Sequence, residues 1–360
     1  MHAKTSHRRL DRLPVRRRSR QRYSAAFDDA DRPVVLNLAV ILLGTVLVLT
    51  AGACAQRDAM PVADEVGIDF ERNTEFTGSR LRVFLKLQDG SDASVNTTDD
   101  AIASRPAATA IPGHRARDWT FVKDTDAGAS VAFASVSWNP DDPADYLMAG
   151  WWMQFPGQQL FDLTFSGSEH YAIVDGPEID PANPPQLPLE GLASYAGLAS
   201  GLYSYVAGTN WGEDAGTYVI DEFQGTIIIA ADFAKGTLSG CIGCEGDLVT
   251  RRAHFGVFLG DEVRDVRSLA AGYELHFGET SFNPNGTFEH TDVTVKHAER
   301  SITQSEGGWG GSFSNVPDAA GNPRLVAGFT GASFEEHDGS AGWFNGTFAT
   351  LSEPFRDSGE

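Results

Sequence analysis

The sequence predicts an all-β protein. Short apolar segments that alternate with polar residues recur from about residue 80 to residue 350, and turn residues separate them. Helix-favouring runs are few, and the chain contains 38 glycines, each of which weakens a helix by about 1 kcal/mol relative to alanine. Many short strands bounded by glycine and proline are typical of an up-and-down barrel or a sandwich.

Residues 1–53 are predicted to be an export signal that precedes the fold. Eight arginines lie between positions 8 and 22, and the segment 34–50 contains no charge. A basic region, an apolar region and small residues before a cleavage point are typical of a secretory signal. The small residues end at Cys54, a pattern that resembles the bacterial lipobox, in which the cysteine is acylated. We therefore expect Cys54 to carry a lipid.

The alternative is a membrane-spanning anchor. The apolar segment is slightly shorter than the roughly 20 residues that a spanning helix needs, which favours the lipoprotein. Ala55 and Gln56 follow the cysteine where an Asp would signal retention at the inner membrane, so we expect the outer membrane or the cell surface. Residues 54–67 are predicted to be a tether between the lipid and the fold.

The charge of the exported part excludes one class of partner. Residues 1–53 hold 10 of the 28 Lys and Arg and 4 of the 49 Asp and Glu, so the remainder carries 18 basic and 45 acidic residues, a net charge of −27. Such a surface repels nucleic acid and anionic lipid head groups. Nucleic-acid binding is therefore excluded, and the membrane is reached through the lipid anchor.

Residues 68–186 are predicted to form a first β unit. The segment 80–87 alternates apolar and polar residues, as a half-buried strand does, and 129–138 is a second strand. The segment 146–155 is apolar on both faces and suits a central strand. Five prolines between positions 175 and 191 then interrupt the pattern, and proline does not donate to a sheet ladder. We place a domain boundary near Leu187.

Residues 187–355 are predicted to form a second β unit with eight to ten strands. The candidate strands are 194–206, 215–223, 225–233, 236–240, 253–260, 272–278, 286–295, 307–313, 327–334 and 341–348.

Glycines alternate with large aromatic residues in the last three candidate strands. A small closed barrel curves tightly, and small and large residues alternate so that side chains fill its interior. Three glycines are predicted to make room for four aromatic side chains: Gly310, Gly328 and Gly342 for Trp309, Phe329, Trp343 and Phe344. We expect these rings to form the core rather than a platform for stacking sugars.

Three segments of this unit resemble a known family. YAGLASGLYSY, WGGSFSN and VAGFTGASFEEHDGSAGWFNGTFAT are similar to the β-barrel domain of transferrin-binding protein B and related bacterial surface lipoproteins, which include factor H-binding protein. The resemblance covers residues 190–352 well and 68–186 more loosely. It implies a small β-rich handle domain, residues 68–186, before an eight-stranded antiparallel up-and-down β-barrel, residues 187–355. Transferrin-binding protein B has two of each domain.

The resemblance also implies a function. It predicts a lipid-anchored, non-catalytic protein that binds a macromolecular or metal-bearing ligand through loops of the handle and the barrel, with iron acquisition as one such role. The alternative is a lipocalin-like carrier of a small apolar ligand. No catalytic motif and no cofactor motif is present in the sequence. We therefore expect no enzyme activity, no cofactor and no resident metal, and the sequence does not locate the ligand-binding residues.

Cys241 and Cys244 form a C-x-x-C pair in a glycine-rich segment. Such a pair forms a disulfide, supplies part of a metal site with a histidine such as His254, or is redox-active. No second C-x-x-C completes four ligands, and the predicted exported compartment is oxidising. We therefore favour a structural disulfide.

The remaining polar candidates are expected to lie on the surface. His254, His276, His290 and His297 fall on predicted strands. An odd separation places His290 and His297 on opposite faces of an unbroken strand. Glu335 and Glu336 are assigned to a solvated turn, and the Asn-Gly-Thr triplets at Asn285 and Asn345 to hairpin turns.

Overall fold

The computed structural model describes residues 74–87, 90–107, 109, 111–160, 163, 168–180, 182–208, 218–252 and 270–353. All regular secondary structure within these ranges consists of β-strands, which confirms the predicted all-β fold class. The predicted signal, Cys54, the tether and the candidate strand 253–260 lie outside the described residues. No helix in the described part of the chain is both long and apolar enough to span a bilayer.

Three antiparallel sheets contain the described strands. The first sheet has β1 (Thr74–Phe76), β2 (Leu81–Lys86) and β3 (Asp92–Asn96). The second has β4 (Ala101–Pro106), β5 (Arg115–Thr125), β6 (Gly128–Trp138), β7 (Tyr146–Pro156) and β8 (Glu169–Asp175), paired in that order. The third has β9 (Leu192–Val206), β10 (Tyr218–Asp232), β11 (Thr237–Ile242), β12 (Val249–Arg252), β13 (Tyr273–Ser281), β14 (Thr287–His290), β15 (Val293–His297), β16 (Ile302–Phe313), β17 (Leu325–Glu336) and β18 (Ala341–Glu353).

The five-stranded sheet is buried on both faces. Strand β7 lies between β6 and β8, as predicted for a central strand. On one face, Met148 and Trp152 pack with apolar residues of the three-stranded sheet. On the other face, Trp151 and Met153 pack with residues of the ten-stranded sheet. This double burial explains why the segment has no polar face.

The ten-stranded sheet has more strands than the eight that the family resemblance implies. Strands β11 and β12 pair with successive parts of β10, so two short strands share one neighbour. The candidate 286–295 forms two strands, β14 and β15, instead of one. Conversely, the candidates 215–223 and 225–233 fall on the single strand β10.

The hydrogen-bonded path runs from β14 through β16, β17, β18, β9, β10, β11 and β13 to β15. Among the described strands, no continuous ladder joins β15 to β16. The two are linked by a hydrogen bond from the Val295 amide to Ser305 Oγ, 3.2 Å, and a single bridge pairs Asp292 with Gly307. The described sheet is therefore strongly curled but not closed by its backbone ladder.

Large aromatic side chains fill the concave side of this sheet. Trp309 is fully buried and stacks on Phe277 with ring centroids 4.6 Å apart. On the opposite face of the sheet, a Cβ atom on Gly310 would lie 2.6 Å from Phe329 Cε1, which confirms that this glycine makes room for that ring, although outside the interior. The glycines therefore permit close approach of rings from neighbouring strands.

Trp343 is buried but does not fill the interior with Phe344. Successive residues of a strand point to opposite faces, so only one of the two faces inward. Phe344 belongs to the interior cluster, whereas Trp343 packs with Trp151 and Leu202 beneath the five-stranded sheet. The expectation that Trp343 and Phe329 are buried in the core is confirmed, but neither ring fills the interior, because both lie on the opposite face of the sheet.

The two Asn-Gly-Thr triplets have different structures. Gly286 follows Asn285 in the turn between β13 and β14 and has φ of 84°, as a tight turn requires. Asn345 instead lies within β18, is 3% exposed, and pairs with Leu202 and Gly331. The hairpin prediction was wrong for Asn345, because the strand continues through Gly346.

A buried histidine on β8 predicts acid sensitivity. His170 is 2% exposed, and burial lowers its pKa to about 3. The unfolded histidine, with a pKa of about 6.5, takes up a proton below that pH, whereas the folded one stays neutral until about pH 3. The folded state is therefore fully stable with respect to this group above pH 6.5 and loses stability as the pH falls towards 3. Between pH 6.5 and 5, His170 should lower the free energy of unfolding by about 1.5 kcal/mol.

Urea unfolding at both pH values checks this expectation. His170→Gln should lose that part of the pH dependence, and His290→Gln, at an exposed position of β14, should retain it. An identical pH profile for wild type and His170→Gln would contradict the assignment.

Candidate functional site

The cysteine pair lies at the end of a strand. Cys241 belongs to β11, and Cys244 lies in the turn that follows. Gly243 between them has φ of 85°, a conformation that favours glycine. The turn brings the two Cα atoms to 5.9 Å, and the structure places the Sγ atoms in a disulfide. The oxidation state of the pair in the cell stays a prediction.

A histidine on the neighbouring strand adjoins the cysteines. His276 on β13 pairs directly with Cys241 across the β11–β13 ladder. Its Nε2 lies 3.7 Å from Cys244 Sγ and 2.8 Å from Glu274 Oε2. The ligand atoms of Cys241, Cys244 and His276 all lie within 4.8 Å of one another. The sequence suggested His254 as the partner, but His254 lies outside the described residues.

The other two described histidine candidates are not part of this cluster. His290 is exposed on β14, and His297 on β15 packs its ring edge-on against Tyr273, with centroids 4.5 Å apart. Burial and the neighbouring Arg300 lower the pKa of His297. His290 ends β14 and His297 ends β15, and a short non-strand segment separates the two strands, so the inference from one unbroken strand does not apply.

Glu336 belongs to a buried polar cluster. The sequence-based prediction that it lies in a solvated turn was wrong. It is 6% exposed and accepts hydrogen bonds from the hydroxyls of Tyr205, at 2.9 Å, and Tyr273. Arg300 Nη1 lies 3.3 Å from its Oε1. Glu335 is exposed, because adjacent residues of β17 face opposite sides.

The electrostatics of the Glu336 cluster favour a fixed ion pair. Burial acts to lower the pKa of Arg300, but its interactions with Tyr273 and Glu336 outweigh this effect and leave the pKa raised. Burial, and to a smaller extent the neighbouring Glu336 carboxylate, raises the pKa of Tyr205 to about 12. Burial also raises the pKa of Tyr273. Both tyrosines therefore remain neutral hydrogen-bond donors at physiological pH. The cluster stabilises one end of the ten-stranded sheet.

A second ionic group links the five-stranded and ten-stranded sheets. Arg105 on β4 contacts Asp118 Oδ2 on β5 and Glu222 Oε2 on β10, each at 3.0 Å. Burial lowers the pKa of Arg105, and its hydrogen bonds to Glu222 and Asp118 outweigh that and raise it. Both carboxylates are almost fully buried. The arginine thus connects the two sheets.

A cavity of about 170 Å³ lies between the same two sheets. Its lining combines polar residues such as Asp118, Ser200 and Gln224 with apolar residues such as Phe133 and Leu325. Pockets that bind drug-sized ligands have volumes of roughly 300–1,000 Å³. This cavity is suited to waters or a very small polar molecule.

The described chain is thus an all-β protein with an aromatic-filled large sheet and a C-x-x-C cluster on its surface. In a comparison with solved structures, it is similar to a point mutant of the vaccine antigen transferrin binding protein B from Haemophilus parasuis, with 11% sequence identity and a TM-score of 0.30. The match covers 77% of this chain and 51% of that one, so the chain spans about half the length of the matched protein. No family model matches the sequence, and no curated protein matches it. At this TM-score the similarity supports no conclusion about ligand or partner.

Replacement of both cysteines should cause a modest loss of stability. If Cys241 and Cys244 form a disulfide, the native protein should show no reactive thiol at these positions and bind no stoichiometric zinc. The closed loop is very short, so the bond contributes on the order of 2 kcal/mol or less. The Cys241→Ser, Cys244→Ser double variant should fold with a modestly lower melting temperature. Thiol counting on the native protein and thermal unfolding check this, and two reactive native thiols would refute it.

Proposed function

We propose that this protein is a lipid-anchored, non-catalytic binding protein of the bacterial outer membrane or cell surface. It binds a macromolecular or metal-bearing ligand through loops of its handle and barrel domains, in a role such as iron acquisition. The observation that carries the proposal is the filled interior of the ten-stranded sheet, which leaves the outer surface for binding.

The interior is occupied by side chains from most of the surrounding strands. Tyr203 and Phe344 lie with ring centroids 4.9 Å apart, and Phe288 and Trp309 with theirs 4.9 Å apart. Gly328 lies close to another ring, since a Cβ atom there would be 2.7 Å from Phe348 Cζ. A barrel that carries a small ligand needs an internal cavity. Packing of this kind therefore argues against a lipocalin-like carrier.

The proposal includes a closed eight-position barrel for residues 187–355. Strands β11 and β12 are counted together as one barrel strand, and so are β14 and β15. The ten strands then define eight successive barrel strands around the circumference. The ladder between β18 and β9 joins the last position to the first. The Val295–Ser305 hydrogen bond lies where β15 and β16 would complete the ring. The boundary near Leu187 and the handle domain, residues 68–186, belong to the same proposal.

Native mass spectrometry of the full chain, released from detergent micelles, separates the two functions. A surface-binding protein should have the mass of the lipidated polypeptide alone. A lipocalin-like carrier should retain one small apolar molecule that is lost on denaturation. Shaving intact cells with protease should remove the protein if it lies outside, and a fully protected chain would contradict surface exposure.

Lipidation is tested at Cys54. Radiolabelled palmitate should label the wild type and not Cys54→Ser, because only this cysteine follows an apolar leader that ends in small residues. The Cys241→Ser, Cys244→Ser variant is the matched control and should label normally. Equal labelling of wild type and Cys54→Ser would rule out the lipoprotein.

A further inference from the structure

The paired strands β11 and β13, with the turn after β11, bring the ligand atoms of Cys241, Cys244 and His276 together at one surface, and Glu274 lies beside His276. Cys241 and His276 are direct cross-strand partners, and Cys244 returns to them through the turn at Gly243. Glu274 precedes His276 by two positions, so both side chains lie on the same face of β13. Glu274 Oε2 lies 2.8 Å from His276 Nε2 and is hydrogen-bonded to it. A cation on Nε2 would replace this hydrogen bond, which frees the carboxylate to bind the same ion.

One distance in this cluster matches a tetrahedral zinc site. With Zn–S of about 2.3 Å and Zn–N of about 2.05 Å, tetrahedral angles separate the sulfur and nitrogen ligands by about 3.6 Å. Cys244 Sγ and His276 Nε2 are already 3.7 Å apart. Two zinc-bound sulfurs are about 3.8 Å apart. A metal therefore requires the disulfide to be open, and Cys244 and His276 need little movement.

We propose that Cys241, Cys244 and His276, with Glu274 as the fourth ligand, bind one Zn²⁺-like cation when the cysteines are reduced. The disulfide form does not bind it. The proposal is independent of the ligand of the barrel and handle loops. Two thiolates with an imidazole and a carboxylate select a cation such as Zn²⁺ over Ca²⁺ or Mg²⁺, which prefer oxygen ligands. Cys244 is exposed, so the ion enters directly from solvent.

The redox step requires an external dithiol reductant. The reductant donates two electrons and two protons to the Cys241–Cys244 disulfide, becomes a disulfide itself, and leaves two protein thiols. The cation then binds both sulfurs as thiolates and displaces one proton from each thiol. Metal uptake by the reduced protein should therefore release up to about two protons per ion, and oxidation of the site should release the ion.

Cobalt titration of the full chain in detergent tests the site. The protein is reduced with a phosphine, freed of reductant under argon, and titrated with Co²⁺, whose visible spectrum reports its ligands. We expect one equivalent to bind, with a thiolate-to-cobalt charge-transfer band and strong tetrahedral absorption, and Zn²⁺ to displace it. The oxidised protein should give neither band. Substoichiometric binding by the reduced protein, or a weak octahedral spectrum, would overturn the proposal.

Variants assign the ligands. His276→Ala should weaken Co²⁺ binding at least about tenfold and change the spectrum, whereas His290→Ala, an exposed histidine of the same sheet, should leave both unchanged. Glu274→Gln should weaken binding without removing the charge-transfer band. The Cys241→Ser, Cys244→Ser variant keeps Cys54 and should show no such band. Circular dichroism should show that all variants keep the wild-type fold. With the fold intact, wild-type affinity and spectrum in His276→Ala would refute the site.

Discussion

Gly342→Val is expected to lower the free energy of unfolding by about 3 kcal/mol or more. A Cβ atom at this position would lie 2.5 Å from the carbonyl oxygen of Ser204 and 2.6 Å from Phe334 Cζ. One contact is with the backbone of β9, which is fixed by its ladder to β18, and the other is with a ring of the interior cluster. Neither neighbour withdraws without disturbing the sheet. Chemical denaturation of the variant measures the loss.

Ser352→Val provides a matched control on the same strand. Ser352 is only partly buried, so the added methyl groups have more room, and valine favours a strand. Its free energy of unfolding should stay within about 0.5 kcal/mol of the wild type. An unchanged midpoint for Gly342→Val would show that this glycine does not occupy a crowded part of the sheet.

Glu336→Ala is expected to lower the free energy of unfolding by about 3 kcal/mol. The change leaves the Arg300 guanidinium, whose side chain is 27% exposed, without its buried carboxylate. It also removes the acceptor of two buried hydroxyls, those of Tyr205 and Tyr273. Removing one partner of such a group costs more than the net value of the intact pair. Urea unfolding at neutral pH measures the effect.

The adjacent Glu335→Ala is the control for Glu336→Ala. It removes the same carboxylate from an exposed position of the same strand and should change stability by less than about 0.5 kcal/mol. Equal effects of the two replacements would contradict the assignment of Glu336 to a buried ion pair. A Glu336→Gln variant should fall between them, because the amide oxygen still accepts one hydrogen bond.

Local sequence patterns predicted much of the architecture. Alternation in the segment 80–87 gave the buried faces of Leu81, Val83 and Leu85, and the uninterrupted apolar segment 146–155 gave a strand with two covered faces. Both properties are local, since each depends only on a period of two and on burial. The glycine and aromatic alternation likewise predicted a densely filled interior.

The failures concern the register between strands and the face that each residue presents. Nothing in the sequence near Cys241 reveals that His276 lies opposite it, because that depends on the pairing of β11 with β13. Glu336 follows an exposed glutamate, and only the packing of Tyr205 and Tyr273 from other strands shows that it points inward. Trp343 is covered by a sheet that lies more than 150 positions earlier in the chain. Local patterns do not contain such long-range pairings.

The ladder between β9 and β18 has a consequence for the order of folding. It pairs Gly201 with Gly346, so the first strand of the large sheet receives its second neighbour only from the last one. Sequence separations of this size give a high contact order, which slows folding. Until β18 arrives, β9 and β17 each present an open edge that other chains can join. Under the proposed export, in which the N-terminus crosses the membrane first, the chain depends on protection from aggregation until its final strand has emerged.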